Sequence, residues 1–265
     1  MTSTKTFAAE GTISIPLQEG KKAYFASDFH LGMPNKEISL QRERKIIRWL
    51  EYIRPTAEVI FLVGDIFDFW FEYKQSIPKG YIRLQGKLAD LTDAGIPIIF
   101  FSGNHDMWMF DYFTKELAIP IFRKPKQFIL GQRKFLIGHG DGLGPGDHIY
   151  KILKQIFASK LCQWLFARIH PNTGIAIANA WSRRSRMASD AKGEEKFMGD
   201  DEWLYTYARE IEAQEHHDYY IFGHRHLPLN LPVGNNSYYI NLGEWINHCT
   251  YGSFDGNRME LTTFH

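Results

Sequence analysis

The sequence predicts a layered α/β fold with mixed sheets, and three features carry that expectation. Short, nearly continuous apolar runs recur along the chain, amphipathic helical patterns separate the first three of them, and two tight-turn signals add antiparallel neighbours. Apolar runs of this length suit strands buried on both faces. Strands alternating with helices suit stacked layers of sheet and helix. The 265 residues suffice for one large domain, or one domain with a sizeable insertion.

Taken in order, KAYFAS at 22–27 leads into Asp28-Phe29-His30, and EVIFLV at 58–63 leads into Gly64-Asp65. PIIFFS at 97–102 leads into Gly103-Asn104-His105-Asp106, and the run at 134–137 into Gly138-His139-Gly140-Asp141. The run at 218–222 leads into Gly223-His224-Arg225-His226, and that at 237–241 into Leu242-Gly243-Glu244. Between the first three, residues 38–54 place Ile46, Ile47, Leu50 and Ile53 at helical spacing and stop at Pro55. Residues 81–94 do the same with Leu84, Leu88 and Leu91 and stop at Gly95. Gly131-Gln132 and Asp255-Gly256 read as hairpin turns. Two mixed sheets packed face to face, with helices outside, are therefore expected. From about 146 to 217 no strand pattern occurs; instead Ile149, Ile152, Leu153, Ile156, Phe157, Leu161, Trp164 and Leu165 form a sustained apolar stripe. That stretch falls between the fourth and fifth motif-bearing strands, so a core of 1–145 and 218–265 is expected, with 146–217 a helical insertion over the site.

Composition excludes several classes. Hydrophobic residues at 44% and charged residues at 23% are ordinary for a folded globular protein. A net charge of +1 gives no strong overall field, so no nucleic-acid partner is expected. Cys162 and Cys249 stand far apart without CxxC spacing, which suits a reducing compartment and no disulfide framework. The first twenty residues lack an apolar core and carry Glu10 and Glu19, unlike a signal peptide. No run of about 18 apolar residues would span a bilayer. A cytoplasmic protein is expected.

The polar residues after the strands are of one chemical kind. Asp28, His30, Asp65, Asn104, His139, His224 and His226 offer carboxylate, imidazole or amide oxygen and no thiolate. Such donors suit Mn²⁺, Fe²⁺, Zn²⁺ or Mg²⁺. Seven exceed what one ion needs and suit two ions a few ångströms apart that share a carboxylate. A lone Asp-x-His or Gly-Asp is weak evidence, but the ordered series, each member following an expected strand, is specific.

The series DxH, GD, GNHD, GHGD, GHRH resembles the calcineurin-like metallophosphoesterase superfamily, a four-layer αββα sandwich. The resemblance implies that Asp28, His30, Asp65 and His226 hold one ion, and that Asp65, Asn104, His139 and His224 hold the second, with Asp65 as the bridge. It implies a hydrolase in which water between two divalent ions is deprotonated near neutral pH and attacks phosphorus in line. His105, outside the ligand set, would serve the leaving oxygen, and Asp106 would orient His105. Phe67, Asp68, Phe69 and Trp70, just after the bridge, are expected to form a cleft wall, with Trp70 a substrate contact.

SDFHLG, GDIFDFW, the GHGD block, GHRHLP and the position of the insertion are most similar to UDP-2,3-diacylglucosamine diphosphatases, lipid A pathway enzymes that cut a sugar-nucleotide pyrophosphate to UMP and a diacylated sugar phosphate. The resemblance implies manganese as the metal, an acyl-binding lid, and a peripheral site on the cytoplasmic face of the inner membrane. Between 145 and 186, Lys151, Lys154, Lys160, Arg168, Arg183, Arg184 and Arg186 face only Asp147, beside the apolar stripe. That combination suits a substrate with an anionic head and fatty tails, or an anionic membrane surface; an amphipathic helix with a solvated basic face has the same pattern. Arg183, Arg184, Arg186, Lys192 and Lys196, with Asn104 and His105, are the candidate substrate contacts, since guanidinium forks match phosphate oxygens. That enzyme group carries Arg after the Asn of its third motif, where this chain has His105. Another nucleotide, diester or monoester therefore stands as an alternative substrate. A non-catalytic scaffold is a third reading, which the complete ligand series opposes.

Overall fold

A computed structural model of the chain describes residues 11–145, 148–192 and 196–265; the side chains of Ile149 and of residues 183–192 lie outside the description. Among the described residues, twelve strands form two six-stranded sheets. The first sheet contains β1 (Ile13–Ile15), β6 (Lys126–Leu130), β7 (Arg133–Ile137), β8 (Tyr219–Phe222), β9 (Pro228–Pro232) and β10 (Tyr238–Leu242), in the order β1-β6-β7-β8-β10-β9. The second contains β2 (Lys22–Ala26), β3 (Ala57–Val63), β4 (Ile98–Phe101), β5 (Ile121–Phe122), β11 (Thr250–Phe254) and β12 (Met259–Thr263), in the order β12-β11-β2-β3-β4-β5. Both are mixed: β2, β3, β4 and β5 run parallel, as do β7, β8 and β10, while the β6–β7 and β11–β12 hairpins add antiparallel pairs at the two expected turns.

Alternation along the buried strands builds the layers. In β3, Val59, Phe61 and Val63 face the other sheet and meet Phe128, Phe135, Ile137, Ile221 and Ile240 in the inner core. Ile60 and Leu62 face outward, under α1 (Lys36–Ile53), α2 (Ile82–Asp93) and α3 (Tyr112–Leu117), whose Ile46, Trp49, Leu50, Leu84, Leu88 and Phe113 complete the outer core. The period-two switch of a pleated strand thus serves both faces at once. Asn35 caps α1, its Oδ1 accepting from the Ile38 amide at 3.0 Å. Tyr81 at the start of α2 offers no side-chain cap; Glu43 of α1 supplies one instead, its Oε1 accepting from the Arg83 and Leu84 amides at 3.0 Å each.

After β7 come α4 (His148–Ala158), α5 (Lys160–Phe166) and α6 (Pro171–Lys192), then a short 3₁₀ turn and α7 (Trp203–Glu212). Leu204 and Ala208 of α7 pack on Tyr220, Phe222 and Tyr239, so α7 is the outer layer of the first sheet. The expected insertion at 146–217 thus includes a helix that belongs to the sandwich, because its apolar face fits the sheet. The apolar stripe of α4 and α5 divides. Phe157, Cys162 and Phe166 turn inward onto Phe69, Phe71 and Trp108. Ile152, Ile156, Leu161, Trp164 and Leu165 remain exposed, joined by Ile177 and Trp181 of α6. No helix among the described residues is long and apolar enough to cross a membrane.

Candidate metal centre

All seven residues singled out as ligands converge at the strand ends. Asp28 and His30 follow β2, Asp65 follows β3 and Asn104 follows β4, all from one sheet; His139 follows β7, and His224 and His226 follow β8, from the other. The loops continue the ladder briefly: the Asp28 amide donates to the Gly64 carbonyl at 3.0 Å, and that of His30 to the Asp65 carbonyl at 2.9 Å. Beyond the last regular pair the chain turns sharply. Asp28, His30, Asp65, His224 and His226 all adopt positive φ, between 44° and 68°. Asp and His tolerate this left-handed region better than most residues, but it still costs about 1–2 kcal/mol at each position. Backbone strain gathered on one set of side chains marks a functional site.

Asp28, His30 and His226 form one cluster of donor atoms, and Asp65, His139 and His224 a second, each with its atoms within 4.8 Å of one another. The Nε2 atoms of His30 and His226 are 3.0 Å apart, and His226 Nε2 lies 3.3 Å from Asp28 Oδ1. Asn104 Oδ1 lies 3.3 Å from His139 Nε2 and so joins the second cluster. Asp65 Oδ2 stands between them, 3.9 Å from His30 Nε2 and 3.4 Å from His139 Nε2. His139 Nδ1 donates to the Val63 carbonyl at 2.9 Å, which turns its Nε2 lone pair toward the cluster. A Cβ on Gly64 would run into the His139 ring, and one on Gly103 into the Asp65 carboxylate; these close approaches explain both glycines.

The donors fit divalent cations. Asp28 Oδ1 and His30 Nδ1 are buried without a hydrogen-bond partner, which is costly for polar atoms unless something else satisfies the cluster. Two nitrogens bound to one ion at about 2.1 Å and at right angles would be about 3 Å apart, as the His30 and His226 nitrogens are. Electrostatics agree. Burial opposes ionisation of Asp28, but His226 and His30 hold its carboxyl well below the usual range. Burial likewise opposes ionisation of Asp65, and the charges of His139, His105 and His30 override it, driving it far down. Burial would lower His30, yet Asp28, Asp68 and Asp65 bring it up to about 9. His139 is likewise brought up to about 10, chiefly by Asp65, against its burial. Burial and the neighbouring His139 charge push His224 down to about 4. Protons on His30 and His139 stand where dications would.

Several expectations need correction. Trp70 is fully buried, its ring tilted against those of Phe67 at 4.4 Å and Phe113 at 5.0 Å between centroids, and offers no face to a substrate. Phe67 is buried with it, because the loop after Asp65 folds under α2 and α3 rather than along a cleft. Asp106 does not orient His105. Its carboxylate accepts from the Gly103 amide at 2.7 Å and from those of Ile66 and Phe67 at 2.8 and 3.4 Å, bracing two ligand loops. Burial and the Asp65 charge raise it to about 7 despite the amides of Gly103 and Ile66. His105 is held instead through Nδ1, 3.1 Å from the Asp68 carbonyl and 3.0 Å from Ser182 Oγ. The side chains of Arg183, Arg184, Arg186 and Lys192 lie outside the described residues. Lys196 is exposed, and its carbonyl accepts from Arg225 at 3.2 Å.

Sequence reasoning passed over three supports. Arg42, buried on α1, donates to the carbonyls of Phe29, His30 and Met33 at 3.2, 2.9 and 3.3 Å and so holds the His30 turn. Its signal was present: it falls four residues before Ile46, on the apolar face, where an unpaired arginine is out of place. Arg225, between two ligands, pairs with buried Glu202, Nε to Oε1 at 2.6 Å. Asp141 anchors the insertion: Tyr150 Oη donates to its carboxylate at 2.7 Å, and Lys154 Nζ lies 2.6 Å from it.

A sandwich with this donor set defines a class, and residues 21–228 match it: the chain belongs to the calcineurin-like phosphoesterase family and is a hydrolase of phosphoester bonds. That family implies divalent metals, and the clusters above are suited to them. Within the family, the chain is 35% identical over 252 residues to the UDP-2,3-diacylglucosamine hydrolase of Porphyromonas gingivalis, covering 91% of this chain and 96% of that one. It is 26% identical to the enzymes of the same name from Edwardsiella ictaluri, covering 89% and 90%, and Proteus mirabilis, covering 91% and 98%.

Proposed function

We propose that the chain hydrolyses the pyrophosphate of UDP-2,3-diacylglucosamine to UMP and 2,3-diacylglucosamine 1-phosphate. The observation that carries the chemistry is the Asp65 carboxylate oxygen shared between two donor clusters. Asp28, His30, Asp65 and His226 would hold one divalent ion and Asp65, Asn104, His139 and His224 another, with manganese suited to such nitrogen and oxygen donors. Bound there, the ions supply an acidified water and neutralise charge on the phosphoryl oxygens. His105 donates a proton to the leaving oxygen, and Asn104 positions the scissile phosphates. Asp106 keeps the loops after β3 and β4 in register.

The substrate assignment rests on the relatives and on the insertion, residues 146–217 less α7, acting as a lid. Its outer face exposes Leu161, Trp164 and Leu165, with Arg168 stacked over Trp164 at 4.4 Å. Apolar side chains next to cations suit acyl chains at an anionic surface, and a peripheral position on the cytoplasmic face of the inner membrane follows. Arg183, Arg184, Arg186, Lys192 and Lys196 are assigned to the diphosphate and nucleoside. Incubation with Mn²⁺ and UDP-2,3-diacylglucosamine, followed by phosphorus NMR, tests the reading. Release of UMP supports it; an inert pyrophosphate beside ready hydrolysis of a simple diester would assign the site to another substrate.

A further inference from the structure

Among the described side chains of α6, Ser182 is the one that reaches His105, and the proposal above leaves it without a role. It is 5% exposed, with Oγ 3.0 Å from His105 Nδ1 and 3.3 and 3.4 Å from the two carboxylate oxygens of Asp68. The Asp68 carbonyl, 3.1 Å from the same Nδ1, can only accept, so Nδ1 carries a hydrogen. Ser182 Oγ therefore accepts from Nδ1 and directs its own hydrogen to the Asp68 carboxylate. This is not the arrangement of a hydrolytic triad, in which serine and aspartate occupy opposite ring nitrogens. Here both lie on one, and Nε2 is left as the nitrogen that can serve the leaving oxygen.

We infer that Ser182 is a positioning residue for His105: with Asp68 it holds Nδ1–H and the ring plane, so that Nε2–H of the protonated ring is aimed at the leaving oxygen, and docking of the lid helix and alignment of the proton donor are a single event. The arrangement suits an imidazole, which needs its far nitrogen held to present the near one. The inference rests on the hydrolytic role given to His105, and two measurements separate its failure from failure of that role.

The first is steady-state kinetics of the manganese-loaded chain on UDP-2,3-diacylglucosamine and on bis(4-nitrophenyl) phosphate, which has no acyl chains for a lid to hold. Ser182→Ala should lower kcat about tenfold on both, a modest share of a general-acid contribution, with metal content unchanged, and Ser182→Thr should restore much of it. A rise in KM confined to the lipidated substrate, with the small diester unaffected, would make Ser182 a lid peg and overturn the inference. The second is ¹⁵N-histidine NMR of the zinc-loaded chain, which reads the ring whatever the substrate proves to be. The His105 signal, assigned by its loss in His105→Gln, should show a protected Nδ1–H that Ser182→Ala broadens and Ser182→Thr retains. An unchanged signal in Ser182→Ala would overturn the inference even in a protein that turned over neither substrate.

Discussion

Replacing Arg225 by Met should destabilise the metal-free protein by about 3–5 kcal/mol, the cost of leaving one partner of a buried ion pair uncompensated. Arg225 is 5% exposed and Glu202 fully buried; the two meet twice, Nε to Oε1 at 2.6 Å and Nη2 to Oε2 at 3.2 Å, and the guanidinium lies 5.1 Å above the Trp203 ring. With 265 residues at about 2.1 cal/mol/K each, the unfolding entropy is about 0.56 kcal/mol/K, so the melting temperature should fall by about 5–9 °C. Thermal unfolding after chelation isolates this from any contribution of bound metal. Glu202→Met should do comparable damage, and the double variant should cost less than the two single losses added, because it buries no lone charge. Since Arg225 stands between the proposed ligands His224 and His226, both in left-handed backbone, the single variant should also weaken metal binding about 10–100-fold. A shift under about 2 °C, or strict additivity in the double variant, would refute the reasoning.

Asp65→Asn should lose both ions, and two tightly held ions by elemental analysis would remove it as the bridge. His105→Ala should cut kcat by about 10²–10⁴ while sparing metal content; a near-parental rate would exclude it as the proton donor. Metal uptake should release protons between pH 7 and 9, because His30 and His139, brought up to about 9 and 10, are protonated there in the empty site, while His224 at about 4 is already neutral. Affinity should therefore weaken as pH falls, and calorimetry in buffers of different ionisation enthalpy reads the release directly; none at pH 7 would contradict the raised values. Glutamate at Leu161 and Trp164 together should raise KM for the lipidated substrate at least tenfold, from the loss of about 1.5–3 kcal/mol per buried apolar side chain, and leave a small diester untouched. Equal loss on both would make these helices scaffold.

What the sequence revealed and what it withheld divide along a physical line. KAYFAS, EVIFLV and PIIFFS are apolar on both parities and so declared strands covered on two faces, and each was followed by the polar residue that now lies in the centre. Gly131-Gln132 declared its hairpin by backbone preference alone. The direction of loop side chains was not legible. Trp70 and Asp68 are two residues apart in one loop, yet one packs beneath α2 and α3 and the other brings its carboxylate to 3.7 Å from His105 Nδ1, because the intervening turns follow no fixed period. Asp106 sits beside His105 in sequence, but three main-chain amides claim its carboxylate. Ser182 opens the basic run read as a phosphate contact, but its meeting with His105 was not legible, since nothing local to an arginine-rich helix announces a partner 77 residues away.

The proposed ligands come from both halves of the sandwich: Asp28, His30, Asp65 and Asn104 from one sheet, His139, His224 and His226 from the other. Each proposed cation would therefore clasp the two sheets along one rim, where the inner core gives way to polar loops. Withdrawal of the cations should let that edge of the molecule gape before the rest yields, so amide exchange would quicken first in the turns after β2, β3, β7 and β8.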